Sequence, residues 1–175
     1  LGDVYKRQAI DSAIGDAKII AEDLGIVSPA VRELLAETGY PGMNIIEFAF
    51  DGGPTNSHLP HNYKPNSLVY GGTHDNETVV GYFSSRSAAD LKYAYKYLGV
   101  TKKSEIPAAV LRAAYASVAA IAIFQVQDIL ELGNEARMNT PSTVGDNWKW
   151  RMLKGSLTKK KAKELKELAE FYARL

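Results

Sequence analysis

The chain has 175 residues, 46% of them hydrophobic and 23% charged, a composition of soluble globular sequences with enough apolar surface for one substantial core. Lys and Arg total 21 against 20 Asp and Glu, a net charge of +1, which gives no electrostatic argument for nucleic acid or an anionic membrane as a partner and best fits a neutral substrate. The absence of cysteine excludes disulfides, a thiolate nucleophile and thiolate metal sites, and every apolar run is too short to span a bilayer.

Residues Leu1 to Gln8 (LGDVYKRQ) show neither the apolar spacing of a helix nor the alternation of a strand. Asp3 to Gln8 resembles the translation of a transposon-end adapter used in preparing sequencing libraries. Residues 1–8 are therefore expected to be a non-native tail, with the natural sequence starting near Ala9; an ordinary disordered tail is the alternative. The run Ala17 to Ala21 (AKIIA) suits a parallel strand covered on both faces, which would place Glu22 and Asp23 at its C-terminal end. Ser28 and Pro29 then read as N-cap and first residue of a helix with an apolar stripe of Val31, Leu34 and Leu35, closed by Gly39.

A second strand is expected over Met43 to Phe50 (MNIIEFAF), followed by a long polar loop, residues 51–65, rich in Gly, Pro and Asn. Ser67 to Gly71 reads as a third strand, delivering Thr73-His74-Asp75-Asn76 at its end. Ser87 and Asp90 have capping-box-like spacing for a helix ending at Gly99, and an alanine-rich helix is expected from about Pro107 to Ala120. Ile121 to Val126 offers a fourth strand, and Thr158 caps a last amphipathic helix towards Leu175. Alternating strands and helices with polar strand ends imply a parallel α/β architecture. About four strands do not close a barrel, and a (βα)8 barrel needs about 250 residues, so the expected fold is the C-terminal half of such a barrel with its functional groups on one face. An open doubly wound sheet is the competing fold.

Carboxyl groups at two strand ends suggest glycoside chemistry, in which a protonated acid and an ionised carboxylate flank the scissile bond. Glu22 follows an apolar strand, where desolvation would favour the acid form; Asp75 is flanked by His74 and Asn76, whose polar groups suit a carboxylate. Alone, each is more readily a solvated loop carboxylate or a helix cap. The ordered set A-E-D-L-G, P-G-M, L-P-H-N-Y, G-T-H-D-N, E-A-R-M-N and N-W-K-W-R, however, resembles the 4-α-glucanotransferases (amylomaltases, disproportionating enzymes) of glycoside hydrolase family 77, from about Lys18 to near the C-terminus.

The resemblance implies that Glu22 is the general acid/base and Asp75 the carboxylate that binds sugar hydroxyls and stabilises the transition state. It further implies substrate contacts for His74, Phe48 and Asn139; core packing for Phe48 and a loop or cap role for Asn139 are the alternatives. The family's nucleophilic aspartate lies in an R-I-D-H-like motif that this sequence lacks, and neither Asp11 nor Asp16 is assigned that role. Residues 9–175 are thus expected to be the C-terminal part of a single catalytic barrel domain, inactive alone. The implied activity of the full protein is transfer of α-1,4-glucan segments to the 4-hydroxyl of an acceptor glucan or glucose by a retaining double displacement. No cofactor or metal is implied; the implied partners are α-1,4-glucans and maltooligosaccharides, not nucleic acid or membrane, and the implied location is the cytoplasm. An α-glucan hydrolase and a non-catalytic glucan-binding module are the alternatives.

Three further features have competing readings. His58 and His61 lack a third convincing metal ligand and read as loop histidines, with a place near the sugar as the further reading for His61. Trp148 and Trp150 could stack on sugar or anchor the tail. The lysines at 159–161 and 163 read as a solvated face.

Overall fold

The computed structural model describes residues 2–15, 17–25 and 27–175, in two compact units, Leu1–Met43 and Asn44–Leu175. Asp16 lies outside the described residues.

In the first unit, helix α1 spans Gly2–Ile14, covering a segment whose apolar spacing predicts no helix. It is held by polar contacts rather than by an apolar stripe. Arg7 pairs with Asp11 one turn on at 3.6 Å, donates to the carbonyls of Glu37 (2.6 Å) and Thr38 (3.1 Å), and Tyr40 donates its hydroxyl to Asp11 at 2.8 Å. Those carbonyls end helix α2, Pro29–Thr38, where a cation meets the negative end of the helix dipole. The α2 ends are as expected: Ser28 accepts from the Val31 N–H, Pro29 opens the helix, and Gly39 closes it at φ 67°. Its apolar stripe is shallow, with Val31 exposed and Leu34 and Leu35 half-buried.

The expected strand at Ala17 to Ala21 is absent; residues 17–24 form neither helix nor strand. A strand needs a ladder of partners, and the described backbone bonding offers this run one rung, from the Ala21 N–H to the Pro41 carbonyl at 3.0 Å. Ile20 is exposed accordingly.

Among the described residues three strands form, where four are expected: β1 (Gly42–Ile45), β2 (Ser67–Tyr70) and β3 (Ile121–Ile123), ordered β1-β2-β3. Strands β2 and β3 run parallel, with Leu68, Val69 and Tyr70 opposite Ile121, Ala122 and Ile123. This is a small parallel sheet flanked by helices, not a closed barrel. The run Met43 to Phe50 leaves the sheet early because a 3-10 turn over Ile46–Phe48 follows β1, turning Ile46 and Glu47 inward and leaving Phe48 partly exposed. The expected strand Ile121 to Val126 likewise stops at Ile123, and a short helix α6, Val126–Ile129, takes over, with Gln127 and Asp128 buried.

Helix α3, Val79–Ser85, which the sequence pattern does not announce, is nucleated by buried Thr78, whose side chain accepts from the Gly81 N–H. Ser87 and Asp90 bond reciprocally (the Asp90 N–H to the Ser87 hydroxyl, the Ser87 N–H to the Asp90 carboxylate) ahead of α4, Lys92–Leu98. The Ser87 hydroxyl, donating to the Asp90 carboxylate at 2.7 Å, and then the Ser87 N–H hold that carboxyl below the usual carboxylate range. Helix α5 runs Ile106–Ala116, shorter than the alanine pattern suggests, because Ser117 leaves it in an extended conformation.

Helix α7, Lys159–Phe171, starts at Thr158, whose hydroxyl accepts from the Lys161 N–H, and its lysines pair with Glu164, Glu167 and Glu131 on an exposed face. Beyond it, Arg174 donates to the carbonyls of Ala114, Tyr115, Ser117 and Ala119, the C-terminal end of α5 and the turn into β3. The core packs Ile46, Leu59, Val69, Val79, Phe83 and Val110 between the sheet and helices α3 to α5. No described helix is long and apolar enough to cross a membrane.

Candidate active site

The turn after β2 builds itself from local chemistry. The Asn76 side-chain oxygen accepts from both the N–H (2.8 Å) and the hydroxyl (2.7 Å) of Thr73, while the Asn76 N–H returns to the Thr73 carbonyl at 3.1 Å. The Thr73 hydroxyl in turn accepts from the Asp75 N–H at 3.3 Å. Asn76 is therefore consumed inside the turn and does not flank the Asp75 carboxylate as expected. His74 and Asp75 project from the closed loop, their side chains about half exposed (52% and 47%).

A second segment supplies the partners. Asn139 donates its side-chain amide to Asp75 Oδ1 at 2.6 Å and its backbone N–H to the His74 carbonyl at 3.1 Å. His74 Nε2 lies 3.3 Å from the same Asp75 oxygen. Arg137 straps the two segments together, donating from Nη2 to the Asp75 carbonyl and from Nε to the Asn139 carbonyl, both at 2.8 Å. Trp148 completes the cluster: its ring centroid is 5.1 Å from that of His74, it is half exposed, and its backbone N–H donates to the Met138 carbonyl at 2.7 Å. It sits at φ 65°, a left-handed backbone costly for an aromatic residue. The loop before it is tied by Asn147, which accepts from the Thr140 N–H and donates to Thr143.

Three of the residues singled out from sequence, His74, Asp75 and Asn139, thus meet in one cluster. Phe48 is engaged elsewhere among the described contacts, its ring edge-on to His58 with centroids 5.5 Å apart. Glu22, in the first unit, is exposed; the apolar strand expected to desolvate it does not form. Its neighbour Asp23 is structural, accepting from the Met43 N–H at 2.7 Å and lying so close to Gly42 that a Cβ there would meet its carboxyl. His58 Nδ1 accepts from the Ile45 N–H, and His61 bonds to the Tyr97 hydroxyl and the Pro54 carbonyl, so both histidines brace the loop; among the described residues no group of three potential ligands could hold a metal.

Sequence reasoning missed Arg137, although it stands two residues before Asn139 in the same motif, and it missed two buried carboxyls. Glu47 and Asp128 are each 1% exposed, and each leaves one carboxyl oxygen, Oε1 and Oδ2, without a hydrogen-bond partner. Burial, then the charges of Asp128 and Glu77, push Glu47 up to about 9 against opposition from Arg137 and Arg86. Burial raises Asp128 to about 6, opposed by its hydrogen bond from the Val79 N–H at 2.8 Å. Near neutral pH Asp128 is ionised and Glu47 is an uncharged acid.

The family profile described as 4-alpha-glucanotransferase matches residues 3–158. The chain belongs to the 4-alpha-glucanotransferase family. It is 43% identical to the 4-alpha-glucanotransferase of Clostridium butyricum over 166 residues, covering 94% of this chain and 34% of that protein. Its identity to the Thermus thermophilus 4-alpha-glucanotransferase is 40% over 175 residues, covering 96% of this chain and 35% of that one. The amylomaltase from Streptococcus agalactiae in complex with acarbose superposes with a TM-score of 0.91 at 40% identity, covering 98% of this chain and 35% of that one. The Corynebacterium glutamicum amylomaltase, at 20% identity and a TM-score of 0.60 over 80% of this chain and 25% of that one, shares the fold alone. The chain thus spans about a third of the length of the curated relatives it matches.

Proposed function

We propose that this chain is the C-terminal part of the catalytic (βα)8 barrel of a 4-α-glucanotransferase that moves α-1,4-glucan segments onto the 4-hydroxyl of a second glucan. The observation that carries the reading is the Asp75 cluster: a half-exposed carboxylate oriented at one oxygen by Asn139 and His74, beside an exposed indole, in a member of the family. Sugar recognition needs this combination of an oriented acceptor for hydroxyls and an aromatic face.

In this reading Asp75 grips hydroxyls of the donor glucose and favours its distorted, oxocarbenium-like form. His74 and Asn139 hold the carboxylate and share the sugar's hydroxyls, Trp148 offers a stacking face, and Phe48 packs against acceptor-side glucose. Glu22 protonates the leaving oxygen, then deprotonates the 4-hydroxyl of the acceptor. The attacking aspartate has no R-I-D-H counterpart among these 175 residues and is assigned to the remainder of a longer protein. It forms a glucosyl-enzyme intermediate that the acceptor resolves with retained configuration. The substrates are maltooligosaccharides and the setting is cytoplasmic.

The test is incubation of the natural-length gene product with maltotriose. Redistribution into longer and shorter glucans is expected; release of reducing ends alone would assign a hydrolase, and binding without turnover a glucan-binding module.

A further inference from the structure

The Asp75 turn hangs from two glycines, and a buried carboxyl lies against each. Glu47 Oε1 sits so close to Gly72 that a Cβ there would stand 2.5 Å from it, and 3.1 Å from the Cβ of Asn76. Asp128 Oδ2 would lie 3.3 Å from a Cβ on Gly71. The Glu47 N–H also donates to the Gly71 carbonyl at 3.1 Å, so one residue grips both ends of the Gly71–Gly72 step. Asn76, in contact with the same step, is the residue that closes the turn on Thr73.

We propose that Glu47 is a positioning residue for His74 and Asp75: its buried carboxyl end supports the Gly71–Gly72 step and so sets where the turn presents them, a role that rests on the glucan-transfer reading of Asp75. The support works while the carboxyl is uncharged. Asp128 on α6, Glu77 ahead of α3, Tyr82 on α3, and Arg137 and Arg86 are the charged or titratable groups that act on it. The anion of Asp128 already occupies one side of the step, and a second anion at Glu47 would be repelled in a space closed to water. Glu77 adds to the repulsion, and both nearby cations are engaged elsewhere, Arg137 on the Asp75 and Asn139 carbonyls and Arg86 over the Tyr82 ring at 4.4 Å. Ionisation would drive the carboxyl off Gly72 and carry the turn with it. Displacing a substrate-gripping group by about 1 Å costs on the order of a hundredfold in rate.

The experiment compares the natural-length gene product with its E47Q and E47A variants in maltotriose transfer from pH 5 to 10, alongside crystal structures of all three. E47Q, which keeps shape and neutrality, is expected to retain kcat and KM and to lose the alkaline fall in kcat that the parent shows near pH 9. E47A is expected to lower kcat on the order of a hundredfold with KM little changed, and to break the 2.6 Å Asn139–Asp75 contact. An unchanged kcat and an intact contact in E47A would overturn the proposal, as would a fall near pH 9 that is the same in E47Q as in the parent. If E47A does not fold, G72A applies the same displacement from the opposite side and its structure decides. If the parent shows no transfer, the glucan reading fails, and the crystal structures still decide whether Glu47 sets the turn.

Discussion

Replacing Glu47 with Gln also changes how stability depends on pH, by an amount that follows from the carboxyl's surroundings. An unfolded chain releases this proton near 4.5, whereas the fold holds it to about 9. Below 4.5 both states carry the proton and the residue makes no pH-dependent difference. Between the two values only the folded state does, so stability falls by about 1.4 kcal/mol for each step of one in pH. At pH 7 the accumulated loss is about 3 kcal/mol, with no discount for solvent screening because the side chain is 1% exposed. Glutamine does not titrate. E47Q should therefore match the parent at pH 4, exceed it by about 3 kcal/mol at pH 7, and exceed it further at pH 9. Asp128, raised by burial from 3.8 to about 6, adds a dependence of the same sign below pH 6, but it is common to both proteins. Urea unfolding at four pH values measures the difference directly, since an unchanged slope isolates stability. Parallel curves, offset by a constant amount at every pH, would mean that Glu47 is charged in the fold and would refute the reasoning.

Asp75→Asn should leave the unfolding midpoint nearly unchanged and lower the transfer rate by about a hundredfold or more, as expected for a group contributing several kcal/mol to the transition state; circular dichroism and maltotriose kinetics read the two. Leu68→Ala, at a position 0% exposed in the central strand, should cost about 2–5 kcal/mol in urea unfolding. Arg174→Lys replaces a planar fork by a point charge that cannot meet the same four carbonyls; a loss of about 1–3 kcal/mol should appear as a lower melting temperature.

Sequence pattern foretold elements whose signals are local. Ser28, Pro29 and Gly39 bound α2, Thr158 starts α7, and the Ser87–Asp90 pair precedes α4, because capping needs only neighbours. Strands were less readable, since a strand exists by virtue of its partners. Ala17 to Ala21 has the composition of one and a single described rung, and Met43 to Phe50 loses its second half to a turn that sends Glu47 inside. At the site, the motifs located His74, Asp75 and Asn139, and the fold brings the three together. No motif announced that Arg137 would bridge them, because its acceptors are backbone carbonyls. A lone carboxylate in an otherwise apolar run was the one available sign of Glu47, and its partner Asp128 lies 81 positions away (128 − 47). Glu22 and Asp75 belong to different compact units.

Arg174 gathers carbonyls from residues 55 to 60 positions upstream. A guanidinium distributes its donors in a single plane, so the peptide groups it serves must converge on that plane before β3 begins. The edge strand of the sheet thus takes its starting point from a cation that leaves the ribosome long after the strand itself.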